Sequence, residues 1–463
     1  MIRIDQVQLP EFGAEAECPQ VPLAVHEARL AAAVQRMRQA KMDFLVVYAD
    51  REHSANLAYL TGFDPRFEES VLLLGSDGRK RLVVGNECMG FLPDAGLGLE
   101  VELFQDFSLM GQPRGPSRPL REVLADFGIR PGRRVGCAGW KCYDERLIPG
   151  GPAAIDAPAY LADALRDLAG TKNVAGAVAI FADPVEGLRI HNEPEQVALY
   201  EYAAAITSHG VRRVVEELRV GASEQELAHL LDAGPLPLSC HSMIGFGAKA
   251  RRGLASPSGN RARIGDAFTI GFGVTGSLTS RAGEIAEGPA DLPAELRDFY
   301  PAYAANYFQV VAAWYAAIGV GRTAGAVFDA VQAQRDGKLY KFAVNPGHYI
   351  HLDEWVHSPF AAGSTVTLQS GVALQMDIIP VSAGPFCYIN AEDGVVLADA
   401  ALRQTIASRF PDMWGRMQAR RQFMIGQLGL DLDESVLPLS NTPAWLPPYG
   451  LAPQNVFVQH AGR

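Results

Sequence analysis

The chain has 463 residues, 48% hydrophobic and 20% charged, the proportions of a globular protein too long for one ordinary core. Its formal net charge of -11 comes with no basic run, which argues against nucleic acid and an anionic membrane surface as partners. No stretch approaches the ~20 apolar residues of a membrane span, and the six dispersed cysteines form no CxxC pair and read as reduced cytoplasmic thiols.

Residues 1–24 hold Pro and Gly without periodicity and predict an irregular arm lacking an apolar signal core. Residues 23–40 place Leu30, Val34 and Met37 on one helical face. FLVVY at 44–48 reads as a buried strand, with further strands at 71–74, 82–84 and from 133. Strands alternating with helices predict an α/β domain over residues 1–185. A second domain, residues 186–463, opens with Pro194 in a first helical turn and a helix running to 218. Gly221 then stops it, and Ser223 with Glu226 makes a capping box. LSCHS at 238–242, holding His241, is strand-like, and a Gly265-Asp266 turn leads into a strand at 267–273, a hairpin, and Thr279-Ser280-Arg281.

The densest chemistry lies at residues 345–359, NPGHYIHLDEWVHSP, where His348, His351 and His357 fall within ten residues. Pro346 and Gly347 permit a tight entry, and 348–352 reads as a short strand. Two later strands carry acids: VALQMDIIP holds Asp377, and CYINAEDGVVL holds Glu392 and Asp393. A carboxylate in an apolar strand is costly unless paired or bound, so these acids and His348 predict one shared polar site. Beyond them, residues 402–428 predict one Arg- and Met-rich helix for packing or dimerisation. The Pro-rich segment 438–453, with Trp445, Leu446 and Tyr449, is expected to wrap a partner subunit or cover a site.

In order and spacing these phrases resemble the pita-bread family of creatinase, prolidase, Xaa-Pro aminopeptidase and methionine aminopeptidase. The matches are Gly347-His348, His357-Ser358-Pro359, Gly371 to Asp377, and Glu392-Asp393, with NLAYLTGF at 56–63 similar to the family's first domain. The resemblance implies an α/β N-terminal domain and an α+β pita-bread domain with a curved, mostly antiparallel sheet in two pseudo-symmetric halves. It also implies a homodimer.

The sequence departs where the family carries two metal-binding aspartates. The first falls near Gly271 and the second near Ser280, and neither is acidic here. Two hard divalent ions need several bridging carboxylates, so a degenerate site without a two-metal cluster is expected. No cofactor is expected; a single divalent ion on His348, Asp377 and Glu392 is the alternative. By resemblance to metal-free creatinase, His348 would be the acid/base, with Asp377 and Glu392 orienting a water or cationic substrate. His357, Arg281 and His241 would line the substrate. Arg281 would pair with Asp377 or with a substrate carboxylate, or form a structural salt bridge. Three functions stand: a metal-independent hydrolase of an amide or guanidino C–N bond in a small molecule, an Xaa-Pro metallopeptidase acting on short peptides, and an inactive relative that binds a partner.

Overall fold

FLVVYA is apolar at five of six positions and is buried throughout as the strand Phe44–Ala49. In the computed structural model, which describes residues 1–115 and 117–460, this strand lies inside a six-stranded mixed sheet. Its neighbours are Ser70–Gly75, antiparallel, and Val135–Ala138, parallel. Alternate side chains serve two cores, as the pleat requires. Leu45 and Val47 meet Leu30, Val34 and Met37 of the helix Leu23–Gln39. Val46 and Tyr48 meet Phe127, Leu161 and Leu165 on the other face. This is the predicted α/β layer arrangement.

The chain divides into two units, Val21–Ile190 and Met1–Gln20 with His191–Arg463. The boundary thus falls after residue 190 rather than 185, and the first twenty residues, expected with the first domain, cluster with the second. The cause is a sheet: Ile2–Gln6 pairs antiparallel with Asn455–Gln459.

The larger unit is built on a seven-stranded sheet. Along it run His348–Tyr349, Ala373–Asp377, Asn390–Leu397, Ser277–Glu284, Ala267–Val274 and Met243–Phe246, and Val436–Pro438 also pairs with Asn390–Leu397. Every pairing is antiparallel. One helical phrase occurs twice. Pro194–Glu216 ends before Gly221, and Ser223 caps Glu224–Ala228 with the predicted capping box. Phe299–Ala317 ends before Gly321, and Thr323 caps Ala324–Gln334. Both glycines have φ +86, a left-handed geometry that a side chain would strain. The two halves of the unit therefore repeat one helix, turn, capped helix motif.

Three local expectations change. Residues 402–428 form two helices, Ala400–Arg409 and Pro411–Gly426. Pro411 disfavours a helical Phe410, which sits at φ -133, ψ 62. The strand expected at 238–242 is reduced to an isolated bridge from Leu238 to Val274, and the strand proper starts at Met243. Trp445, Leu446 and Tyr449 are buried within their own chain, so the Pro-rich segment is core to its own fold rather than a free wrapping arm.

Candidate functional site

Directly opposed residues of antiparallel strands share a face. The register sets Asp377 opposite Glu392, Glu392 opposite Ser280, Ser280 opposite Gly271, and Gly271 opposite Met243. His348 lies opposite Gln375, two residues before Asp377 and so on the same face. Along this row the acids and His348 stand at one end, and Gly271 and Met243 beyond Ser280 carry no polar side chain.

His348 is delivered by a constrained turn. Gly347 has φ +100, and a Cβ there would meet the Gln375 carbonyl oxygen at 2.8 Å and Trp314 Nε1 at 3.0 Å. Trp314 Nε1 donates to Pro346 O at 2.9 Å. After Tyr349 the chain folds back, with Tyr349 N donating to His357 O at 2.7 Å. The fold-back places Glu354 Oε1 3.1 Å from His348 Nε2. It also stacks Trp355 on the imidazole, centroids 4.0 Å apart and planes at 19°. Glu392 Oε1 lies 3.8 Å from the same Nε2 and accepts from Gln375 Nε2 at 3.3 Å. Gln375 also donates to Leu278 O at 2.7 Å. Asp377 Oδ1 is buried without a hydrogen-bond partner.

Three acids around one imidazole, nearly all out of water, lack positive charge. Burial alone would lower the His348 pKa, but the Glu354 and Glu392 carboxylates beside its Nε2 outweigh it and raise it to about 10. Burial raises the Asp377 carboxyl to about 6, with His348 pulling the other way. Burial and the neighbouring Asp377 push Glu392 well above the usual carboxylate range. Such a site is suited to holding a proton or a cation.

His348, Glu354 and Glu392 each offer a donor atom within 4.8 Å of the others, the arrangement one divalent ion needs. Glu354 takes the place expected for Asp377 in that set. The strand expected at 348–352 is only His348–Tyr349, and the fold-back after it is what brings Glu354 to His348. A two-ion cage does not fit. Gly271 and Ser280 carry no carboxylate, and a Cβ built at Gly271 would lie 2.6 Å from Met243 Cε. A methionine methyl fills the space where a carboxylate would project.

The other expected residues lie elsewhere. Arg281 points to the opposite face and pairs with Asp393 at 2.8 Å, not with Asp377. It also donates through Nε to Trp445 O at 2.7 Å, through Nη1 to Ser280 O at 2.6 Å and Glu392 O at 3.2 Å, and through Nη2 to Thr442 O. Burial pushes the Asp393 carboxyl upward against the pull of Arg281. We describe the two as an ion pair because a guanidinium keeps its charge and five donor contacts converge on this carboxylate. His241 is exposed, and its Nε2 lies 2.7 Å from Leu254 O in a loop outside the sheet. His357 contributes its carbonyl to the fold-back.

No family model matches the chain, and no curated protein matches it. Solved structures do. The chain is similar to the dipeptidase PepE from Mycobacterium ulcerans, at 20% identity over 92% of this chain and 98% of that one, with a TM-score of 0.62. It is similar to the prolidase from Pyrococcus horikoshii OT3, at 15% identity over 80% and 95%, TM-score 0.60. It is similar also to the X-Pro aminopeptidase from Thermotoga maritima MSB8, at 14% identity over 91% and 98%, TM-score 0.59. At these identities the likeness is one of fold: an α/β N-terminal domain and a pita-bread domain. Among the described residues no helix is long and apolar enough to cross a membrane.

Proposed function

We propose that this chain hydrolyses an amide C–N bond in a short peptide, at the site built on His348, Glu354, Asp377 and Glu392. The observation that carries the reading is convergence. The register puts an imidazole and two carboxylates on one buried sheet face, and the fold-back adds a third carboxylate beside them. Solved structures of the same fold named as a dipeptidase, a prolidase and an X-Pro aminopeptidase support the substrate class.

His348, Glu354 and Glu392 would hold one divalent ion, which when bound supplies a Lewis acid and a water of lowered pKa. Gln375 orients Glu392 through its hydrogen bond. Asp377, with an unpartnered oxygen, would take the proton of the attacking water and return it to the leaving nitrogen. The water oxygen joins the carbonyl carbon, the C–N bond breaks, and an acid and an amine leave.

A second reading rests on the acid-poor end of the face, where Gly271, Ser280 and the Met243 methyl stand. There the hydrolase is metal-free, as in creatinase, and a protonated His348 donates to the leaving nitrogen of an amide or guanidino group. Xaa-Pro dipeptides and guanidino compounds, each assayed after chelation and again with Mn²⁺ or Zn²⁺, separate the two. Dipeptide cleavage lost on chelation and restored by the ion supports the first. Chelator-resistant turnover of a guanidino compound supports the second. Ligand binding without turnover in either panel leaves the binding-protein class. We further propose a homodimer, to be measured by light scattering at micromolar concentration.

A further inference from the structure

The fold-back after Tyr349 is anchored unevenly. Its ends are tied through the backbone: Tyr349 N to His357 O at 2.7 Å, Val356 N to Tyr349 O at 3.0 Å, and His351 N to Asp353 O at 3.1 Å. Ser358 Oγ adds a bond to Gly347 O at 2.7 Å. Among the described residues, the amides of Glu354 and Trp355 make no backbone hydrogen bond. The side chains of Glu354 and Trp355 both rest on His348, one through its carboxylate and one through its ring. Under that cover His348 has no exposed surface, whereas the Glu354 side chain keeps 30% of its own.

A second observation points to a ligand in the same place. Asp377 Oδ1 is buried without a donor, and Asp377 as a whole is only 5% exposed. It stands on the face of His348 and Glu392, directly across from Glu392. A buried acceptor with no donor calls for an explanation, and a bound ion or water supplies one.

We propose that Glu354 is a retractable ligand. The tip at 354–355 closes over His348 when one divalent cation is held by His348, Glu354 and Glu392, and it withdraws to admit substrate. Cation capture and closure are then one event. With the tip withdrawn, two protein donors remain and the ion gains open positions, the condition that separates a catalytic site from a structural one. The tip's few backbone ties keep the cost of withdrawal low. The inference rests on placing the site at His348 and not on the identity of the substrate.

The test is a titration of metal-free protein with Mn²⁺ and then Zn²⁺, followed by calorimetry and by tryptophan fluorescence. The Trp355 signal is isolated by subtracting a Trp355→Phe titration. We expect one ion per chain, with the Trp355 signal changing in step with occupancy. Glu354→Gln should weaken ion affinity at least about tenfold and abolish the Trp355 change. Glu392→Gln should weaken binding at least as much, and neither metal-free variant should melt below the wild type. Wild-type affinity in Glu354→Gln, a flat Trp355 signal during binding, or a folded wild type that takes up neither ion would each overturn the proposal. Ion uptake with closure in a chain that cleaves no dipeptide would sink the peptidase reading and leave this one supported.

Discussion

Glu392 and Asp393 are consecutive residues of one strand, and they face opposite conditions. Asp393 points to the tail side of the sheet, where Arg281, Ser440, Thr442 and the Ala444 amide all donate to it. Glu392 points to the His348 side, where its hydrogen-bond donor is Gln375 at 3.3 Å and the imidazole stands at 3.8 Å. Both acids are almost fully buried. The first is saturated, and its bonds fasten the 440–445 segment onto the sheet. The second is short of donors, which costs stability and preserves a capacity for a proton or cation. The contrast separates an acid that builds the fold from one that serves a site.

The largest effect should come from breaking the saturated side. Arg281→Ala leaves Asp393 buried without its cation, and we expect a loss of about 3–5 kcal/mol in urea unfolding. An equilibrium midpoint within error of wild type would collapse the contrast.

Glu284 sharpens it. This acid lies four residues along the strand from Ser280, is 1% exposed, and accepts from Tyr388 N at 3.0 Å. Burial raises its carboxyl to about 8, and Asp266 adds to the rise. Its folded pKa therefore lies above the unfolded value of about 4.3. Between those values the folded chain holds a proton that the unfolded chain releases. Stability from this group is full at low pH and falls as pH rises toward about 8, by at most about 1.4 kcal/mol per pH unit. Glu284→Gln should remove that slope, and a parallel pair of stability-against-pH curves for wild type and variant would refute the assignment. Loss of the slope in the variant would show that a shortage of donors costs stability even in an acid far along the strand from His348.

On the site side, Asp377→Asn should cut hydrolysis about a hundredfold, within the usual range for a lost proton acceptor. Its melting temperature should hold steady or rise, because the amide no longer carries a buried charge. A variant that melts early and keeps full activity would place Asp377 with the structural acids.

Much of this contrast was legible in the sequence, and the parts that were not share a cause. His348, Asp377 and Glu392 could be grouped because each sits in a short apolar strand with turn signals around it. The strand alternation that puts Glu392 and Asp393 on opposite faces was available too. What it cannot supply is the partner across the sheet: Asp377, a substrate carboxylate and a structural salt bridge all stay open for Arg281, and the fold makes it a structural salt bridge, with Asp393 as the acid. His241 lies in a strand-like run that the fold leaves as loop, outside the sheet. Glu354 escaped because a fold-back, not a period, brings it to His348. The pairing of residues 2–6 with 455–459 spans nearly the whole chain, and no local pattern announces it. The break between the C-terminal helices was within reach, since Pro411 marks it.

The smallest effect tests the far end of the row, where Gly271 and Met243 carry no charge. Gly271 stands in register with Ser280 and Glu392, yet its Cβ direction is occupied by the Met243 methyl at 2.6 Å. If that packing is what replaced an acidic cage, adding one methyl at Gly271 should be felt. Met243 ends in a flexible thioether and can swing aside, so the cost belongs at the low end of overpacking, about 1 kcal/mol. Met243→Ala alone should cost more, because it opens a cavity in a buried row. Together the two should cost less than their sum, since the larger residue at 271 fills part of the space that the smaller one at 243 vacates. Additive losses in the double variant would mean that the two side chains do not share that space. The neutral end of the face would then need another explanation.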